Sequence, residues 1–119
     1  MALKLLVIEG DQGVLKVMEQ VLEKESHEVI IAKDSTVLAD LDEIKPDLII
    51  LDEWLERESG IELCRKLKAN PKTGVIPVVL LSAMISIEYM SAMAGANSYI
   101  RKPFDRHELA EVINRYQEI

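Results

Sequence analysis

Five side chains in this sequence are of types that suit phosphoryl chemistry: Glu9, Asp11, Asp52, Ser82 and Lys102. Each stands at, or just after, the end of a short apolar run. Carboxylates hold a hard divalent cation such as Mg2+, which takes oxygen ligands. One carboxylate can also attack phosphorus and become an aspartyl phosphate. A metal ion and the Lys102 ammonium would neutralise the transferring phosphoryl group, and the Ser82 hydroxyl would hydrogen-bond one of its oxygens. These groups can act together only if the fold brings them into one crevice.

The positioning elements are legible as apolar periodicity. Pro46-Asp47-Leu48-Ile49-Ile50-Leu51-Asp52 is the central stretch. Pro46 ends what precedes it, and Leu48 to Leu51 are apolar on both faces, as a strand buried between two helical layers must be. Leu3 to Ile8, Val29 to Ala32, Val78 to Leu81 and Ser98 to Arg101 read as four more strands. Between them lie helical patterns. Val14, Leu15, Met18, Val21 and Leu22 mark a helix from Asp11 to about Glu25. Val37, Leu38, Leu41 and Ile44 mark a second, capped by Asp34 or Ser35. Gly60 turns the chain into a third, with Ile61, Cys64 and Leu67 inward, which Asn70 to Gly74 breaks. A Met-rich helix from about Ile85 to Ala94 is closed by Gly95. Asp105 with Glu108 opens the last, which buries Leu109, Val112, Ile113 and Tyr116.

Strands alternating with helices imply an α/β fold: a doubly wound, five-stranded parallel sheet with five helices on both faces. The carboxyl ends of parallel strands share one edge. If the strand order switches near the first and third strands, Glu9, Asp11, Asp52, Ser82 and Lys102 converge there.

A length of 119 residues suits one domain over 1–119. With 49% apolar and 29% charged residues, the composition is that of a soluble globular chain. The net charge of -7 argues against a nucleic-acid or anionic-membrane surface. The single Cys64 rules out an internal disulfide. No apolar run is long enough to span a bilayer, and the start at Met1 reads as a strand rather than a signal peptide, so the expected location is cytoplasmic.

In five stretches the chain resembles the response-regulator receiver domain. They are Lys4 to Glu9, Pro46 to Asp52, Ser59 to Cys64, Val78 to Ala83 and Gly95 to Phe104, in order and at near-family spacing. The resemblance implies a flavodoxin-like sheet of order 2-1-3-4-5. It implies a phosphorylation-dependent switch or relay in two-component signalling, with Asp52 accepting a phosphoryl group from a histidine kinase or phosphotransfer protein. Glu9, Asp52, the backbone carbonyl of Trp54 and, through a water, Asp11 would hold Mg2+. Ser82 would be the switch hydroxyl, Tyr99 the switch aromatic, and Lys102 the phosphoryl contact, joined to Pro103 by a cis peptide. The downstream target would dock on the face of the fourth helix and fifth strand, and the chain would be a monomer or weak dimer, not an enzyme in the ordinary sense.

The chain departs from the family pattern in three places. Gly10 stands where a second acid is usual, Glu56 stands where proline is frequent, and Ser82 to Gly95 is about two residues short. Gly10 motivates an alternative: a pseudo-receiver that binds proteins without being phosphorylated. A small phosphatase or a flavin protein is a third idea, and the absence of a glycine- or hydroxyl-rich loop after the first strand opposes flavin.

Structural roles compete with several of these assignments. Asp11, Ser82 and Asp52 could simply cap turns or helices. Lys102 could be a solvated chain and Tyr99 a half-buried aromatic. Trp54 is either a lid or a partner contact. Met84, Met90 and Met93 read as core fill, with an adaptable docking surface as the minority reading, Cys64 as inert core, His27 and His107 as solvent-facing, and Leu55 to Glu58 as a solvated loop.

Overall fold

A computed structural model of the chain describes residues 2–117, so Met1 and the last two positions lie outside it. Five parallel strands form the main sheet: β1 (Lys4–Ile8), β2 (Glu28–Ala32), β3 (Leu48–Asp52), β6 (Val78–Ser82) and β7 (Ser98–Arg101). Their order is β2-β1-β3-β6-β7, which is the expected 2-1-3-4-5 once strands outside the sheet are set aside. Those two are β4 (Trp54–Leu55) and β5 (Glu58–Ser59), a small antiparallel ladder. The helices are α1 (Gln12–Lys24), α2 (Leu41–Ile44), α3 (Gly60–Ala69), α4 (Ile87–Ala94) and α5 (Arg106–Asn114).

The alternation of side chains along each strand divides the core in two. Leu5, Val7, Leu48, Ile50, Val79 and Leu81 pack against α1 and α5. Leu6, Ile8, Ile49, Leu51, Val78 and Leu80 pack against Leu41, α3 and α4. All ten residues of β3 and β6 are buried, which explains why those strands carry no polar side chain before Asp52 and Ser82. The sheet is therefore a rigid, two-faced platform. Its carboxyl edge presents whatever follows each strand.

Four expectations need correction. Residues Ser35–Asp40 are 3-10 helix, and only Leu41–Ile44 is α-helical. The Asp34 carboxylate takes both the backbone N–H and the hydroxyl of Thr36, which tightens the first turn, and left-handed Lys45 stops the helix before Pro46. Residues 53–59 are a hairpin rather than a polar loop, because Leu55 turns inward to only 2% exposure and anchors it. His27 is buried rather than solvent-facing: its Nδ1 accepts the Leu3 N–H at 3.0 Å, and burial lowers its pKa. Met84 and Met93 are exposed, and only Met90 packs on the core. The remaining differences are at element ends. Leu3 is buried but precedes β1, α4 begins at Ile87, and Tyr116 lies beyond α5 while still packing on the core.

Candidate functional site

Glu9, Asp52, Ser82 and Lys102 meet at the carboxyl edge of β1, β3, β6 and β7. Glu9 follows β1 and is fully buried, and Asp52 ends β3 at 9% exposure. The Lys102 ammonium bridges them. Its Nζ lies 3.1 and 3.3 Å from the two Glu9 carboxylate oxygens and 3.0 Å from Asp52 Oδ2. Lys102 is carried by the backbone bond from its N–H to the Ser82 carbonyl, 2.8 Å, which continues the β6–β7 ladder. The peptide between Lys102 and Pro103 is cis.

Burial is the main force on these ionisations. It raises the Glu9 carboxyl to about 7, helped by a hydrogen bond to Asp52 and by its negative charge, with Lys102 pulling the other way. Burial alone would lower the Lys102 pKa, but the hydrogen bond to Asp52 and the charges of both carboxylates outweigh it, so the ammonium is held charged. The site is thus two carboxylates sharing one cation, in a partly dry crevice where electrostatic interactions are strong.

Asp11 has a structural duty. Its Oδ1 accepts the Val14 N–H at 3.0 Å and caps α1, while its own N–H reaches Glu9 Oε1 at 3.4 Å. Gly10 is exposed, and a Cβ built there would meet nothing within 4 Å. Ser82 is buried to 1% exposure, and its hydroxyl accepts the Met84 N–H at 2.9 Å. It does not cap α4, whose N-cap is Ser86. Trp54 is 59% exposed beside the site, its backbone N–H directed at Asp52 Oδ1 from 3.4 Å. Tyr99 is half-buried on β7. His107 is exposed, and Cys64 is completely buried, with burial raising its thiol to about 11.

Three residues of the site were not singled out chemically from sequence. Glu53 lies in the influence of Asp52 and Lys102; burial first, then the Asp52 charge, raises its pKa, against the smaller opposing pull of the Lys102 charge and a hydrogen bond to Ser82. Gly60 packs its Cα against the Asp52 backbone. Arg101 reaches over the loop that follows Ser82. Glu53 directly follows the candidate nucleophile, a position that could have marked it; the other two depend on contacts across the sheet.

Among the described residues no group of three His, Cys, Asp or Glu side chains stands ready to enclose a metal ion. Glu9 and Asp52 nevertheless supply two carboxylates on one crevice. Mg2+ is commonly held by one or two carboxylates with waters and phosphate oxygens completing its shell, so this donor set fits the ion.

Comparison with known proteins agrees with this geometry. The family model described as response regulator receiver domain matches residues 5–114. A phosphate regulon transcriptional regulatory protein of Rhizobium meliloti (strain 1021) is 37% identical over 110 residues, covering 89% of this chain and 48% of that protein. An uncharacterized transcriptional regulatory protein of Bacillus subtilis (strain 168) is 33% identical over 111 residues, covering 92% of this chain and 47% of that protein. The chain therefore spans about half the length of these curated relatives. A crystal structure of a response regulator from Chloroflexus aurantiacus J-10-fl superposes with a TM-score of 0.90 at 29% identity, covering 98% of both chains. The receiver domain of a sensor histidine kinase from Pseudomonas aeruginosa PAO1, which has magnesium in its active-site cleft, shares the fold at a TM-score of 0.84 and 24% identity, again covering 98% of both. No helix among the described residues is long and apolar enough to cross a membrane.

Proposed function

The chain belongs to the response-regulator receiver family of two-component signalling, and on that premise we propose that Asp52 is its phosphoryl acceptor, within one receiver domain spanning the chain. The observation that carries the reading is the Lys102 ammonium shared between Glu9 and Asp52 at the sheet edge. A cation fixed 3.0 Å from the acceptor oxygen stands where negative charge accumulates during transfer.

Receiver domains interact with histidine kinases or phosphotransfer proteins, and such a partner is the proposed donor here. An Asp52 carboxylate oxygen forms a bond to phosphorus as the donor's P–N bond breaks. The departing imidazole nitrogen keeps the electron pair. Lys102 offsets the charge on the phosphoryl oxygens, and the Ser82 hydroxyl donates to one of them. Glu9, Asp52 and the Trp54 carbonyl would hold Mg2+, with Asp11 contributing through a water; bound there, the ion would supply further charge neutralisation.

The output is a population shift in the segment after Ser82 and in Tyr99, read by a downstream protein on the α4 and β7 face. Tyr89 and Met93 stand four residues apart on α4 and Ile85 lies in the turn just before it, with exposures of 68%, 58% and 93%. Large apolar side chains in such a row suit a protein partner.

The test is intact mass after incubation with Mg2+ and a small acyl-phosphate donor. One phosphoryl adduct is expected, absent from Asp52→Asn. No adduct on the folded protein, from this donor or a kinase, would favour the second reading. That reading is a protein-binding pseudo-receiver, and its supporting observation is Gly10, where no acid is present.

A further inference from the structure

Arg101 ends β7, immediately before Lys102, and the phosphoryl chemistry above gives it no role. Its guanidinium is nevertheless engaged three times. Nη1 donates to the Met84 carbonyl at 2.8 Å and to the Ile85 carbonyl at 3.3 Å, and the group lies over the Tyr99 ring, 5.9 Å from its centroid. A guanidinium presents several N–H groups in a fixed plane, so it can bridge carbonyls while covering a ring.

Arg101 and Ser82 both hold Met84, Ser82 by its N–H and Arg101 by its carbonyl. Met84 gives its N–H to the Ser82 hydroxyl at 2.9 Å. The Met84 carbonyl takes both Arg101 and the N–H of Ile87, the first residue of α4, at 3.2 Å. Meanwhile α4 starts without a side-chain cap, since Ser86 makes none. Asp11, Ser59 and Asp105 each cap their helices with a side-chain oxygen. A helix start lacking its cap opens more readily. The loop of residues 83–86 and the first turn of α4 are thus fastened to the sheet edge through Ser82 on one side and Arg101 on the other.

We propose that Arg101 is a positioning residue: a latch that holds the loop and the start of α4 in the resting arrangement and couples that arrangement to Ser82 and Tyr99. The proposal rests on the reading of Ser82 as a phosphoryl-binding hydroxyl and deepens it. If Ser82 turns towards a phosphoryl group, the Met84 N–H loses its acceptor. The latch then remains the contact that resists loop movement, and the exposed row beginning at Ile85 moves when it opens. Removing Arg101 makes the phosphoryl-accepting arrangement easier to reach.

Native-state amide hydrogen exchange on the full chain tests this without any phosphoryl group. In Arg101→Ala the Met84 and Ile87 amides should exchange about ten-fold faster, the scale of a lost charge-assisted hydrogen bond, while amides in β1 and β3 stay unchanged. Arg101→Lys keeps the charge but not the fork and should fall between. In the acyl-phosphate assay, adduct formation on Arg101→Ala should accelerate about three-fold or more. Unchanged exchange at Met84 and Ile87 would overturn the latch, and so would faster exchange spread equally over β1 and β3. Faster local exchange with an unchanged adduct rate would overturn the coupling to Ser82. If wild type takes up no phosphoryl group, the assignment of Asp52 fails, and the exchange measurement still decides the latch.

Discussion

A methyl group on Gly60 would stand 1.8 Å from the backbone carbonyl oxygen of Asp52. The first residue of α3 is pressed against the end of β3, and its N–H donates to the Glu53 carbonyl at 2.8 Å. The turn that follows Asp52 is therefore held by the absence of a side chain eight positions later. Glycine is needed here for close approach, not for a positive φ.

Gly60→Ala should accordingly destabilise the fold by about 3 kcal/mol, as overpacking against backbone does. Urea denaturation followed by circular dichroism measures it. Because the displaced atoms belong to Asp52, the variant should also show an altered Trp54 fluorescence maximum. A variant as stable as wild type would show that the chain relaxes there at little cost.

Glu9 makes stability depend on pH. Its folded-state carboxyl is raised from 4.5 to about 7, chiefly by burial. Between those values the folded protein holds a proton that the unfolded chain has released, so stability falls as pH rises through this window. Lys102 stays charged throughout and does not contribute to the change. Relative to Glu9→Gln, wild type should lose up to about 3 kcal/mol from pH 5 to pH 8 in metal-free buffer. Denaturant midpoints of both proteins across that range check it, and parallel curves would contradict the assignment.

Gly10 limits the acid count at the site, and nothing occupies the space beside it. Gly10→Asp should fold normally and tighten Mg2+ binding by about ten-fold, the effect of one added carboxylate near a partly exposed cation. The readout is Trp54 fluorescence during metal titration, since the indole is exposed next to Asp52. An identical titration in both proteins would show that position 10 does not govern affinity.

Cys64 should be chemically silent. Its sulfur is completely buried, lies 3.7 Å from the Ala94 carbonyl oxygen as a weak hydrogen bond, and is raised to about 11 by loss of solvation. The thiolate is the reactive form, so a disulfide reagent at pH 8 should label the native protein at least about a hundred-fold more slowly than the denatured chain. Rapid labelling of the native protein would mean that the α3–α4 layer opens readily.

The apolar runs before Asp52 and Ser82 were sufficient to specify buried central strands, because a strand covered on both faces can carry nothing else. Alternation with helical patterns then specified a parallel sheet, and a parallel sheet puts every strand's carboxyl end on one edge. That is why Glu9, Asp52, Ser82 and Lys102 could be grouped from sequence although up to 93 positions separate them. The family pattern added the strand order. Tertiary structure alone decided what each group touches. A lysine at a strand end reads the same whether it is solvated or bridges two carboxylates. A histidine between a helix and a strand reads the same whether it is exposed or, like His27, closes over Leu3. Leu55 looked like part of a polar loop because one inward residue in a two-residue strand has no period to detect. Arg101 was silent for a related reason. Its partners, Met84 and Ile85, are backbone carbonyls on the neighbouring strand's loop, and backbone groups leave no mark in a sequence.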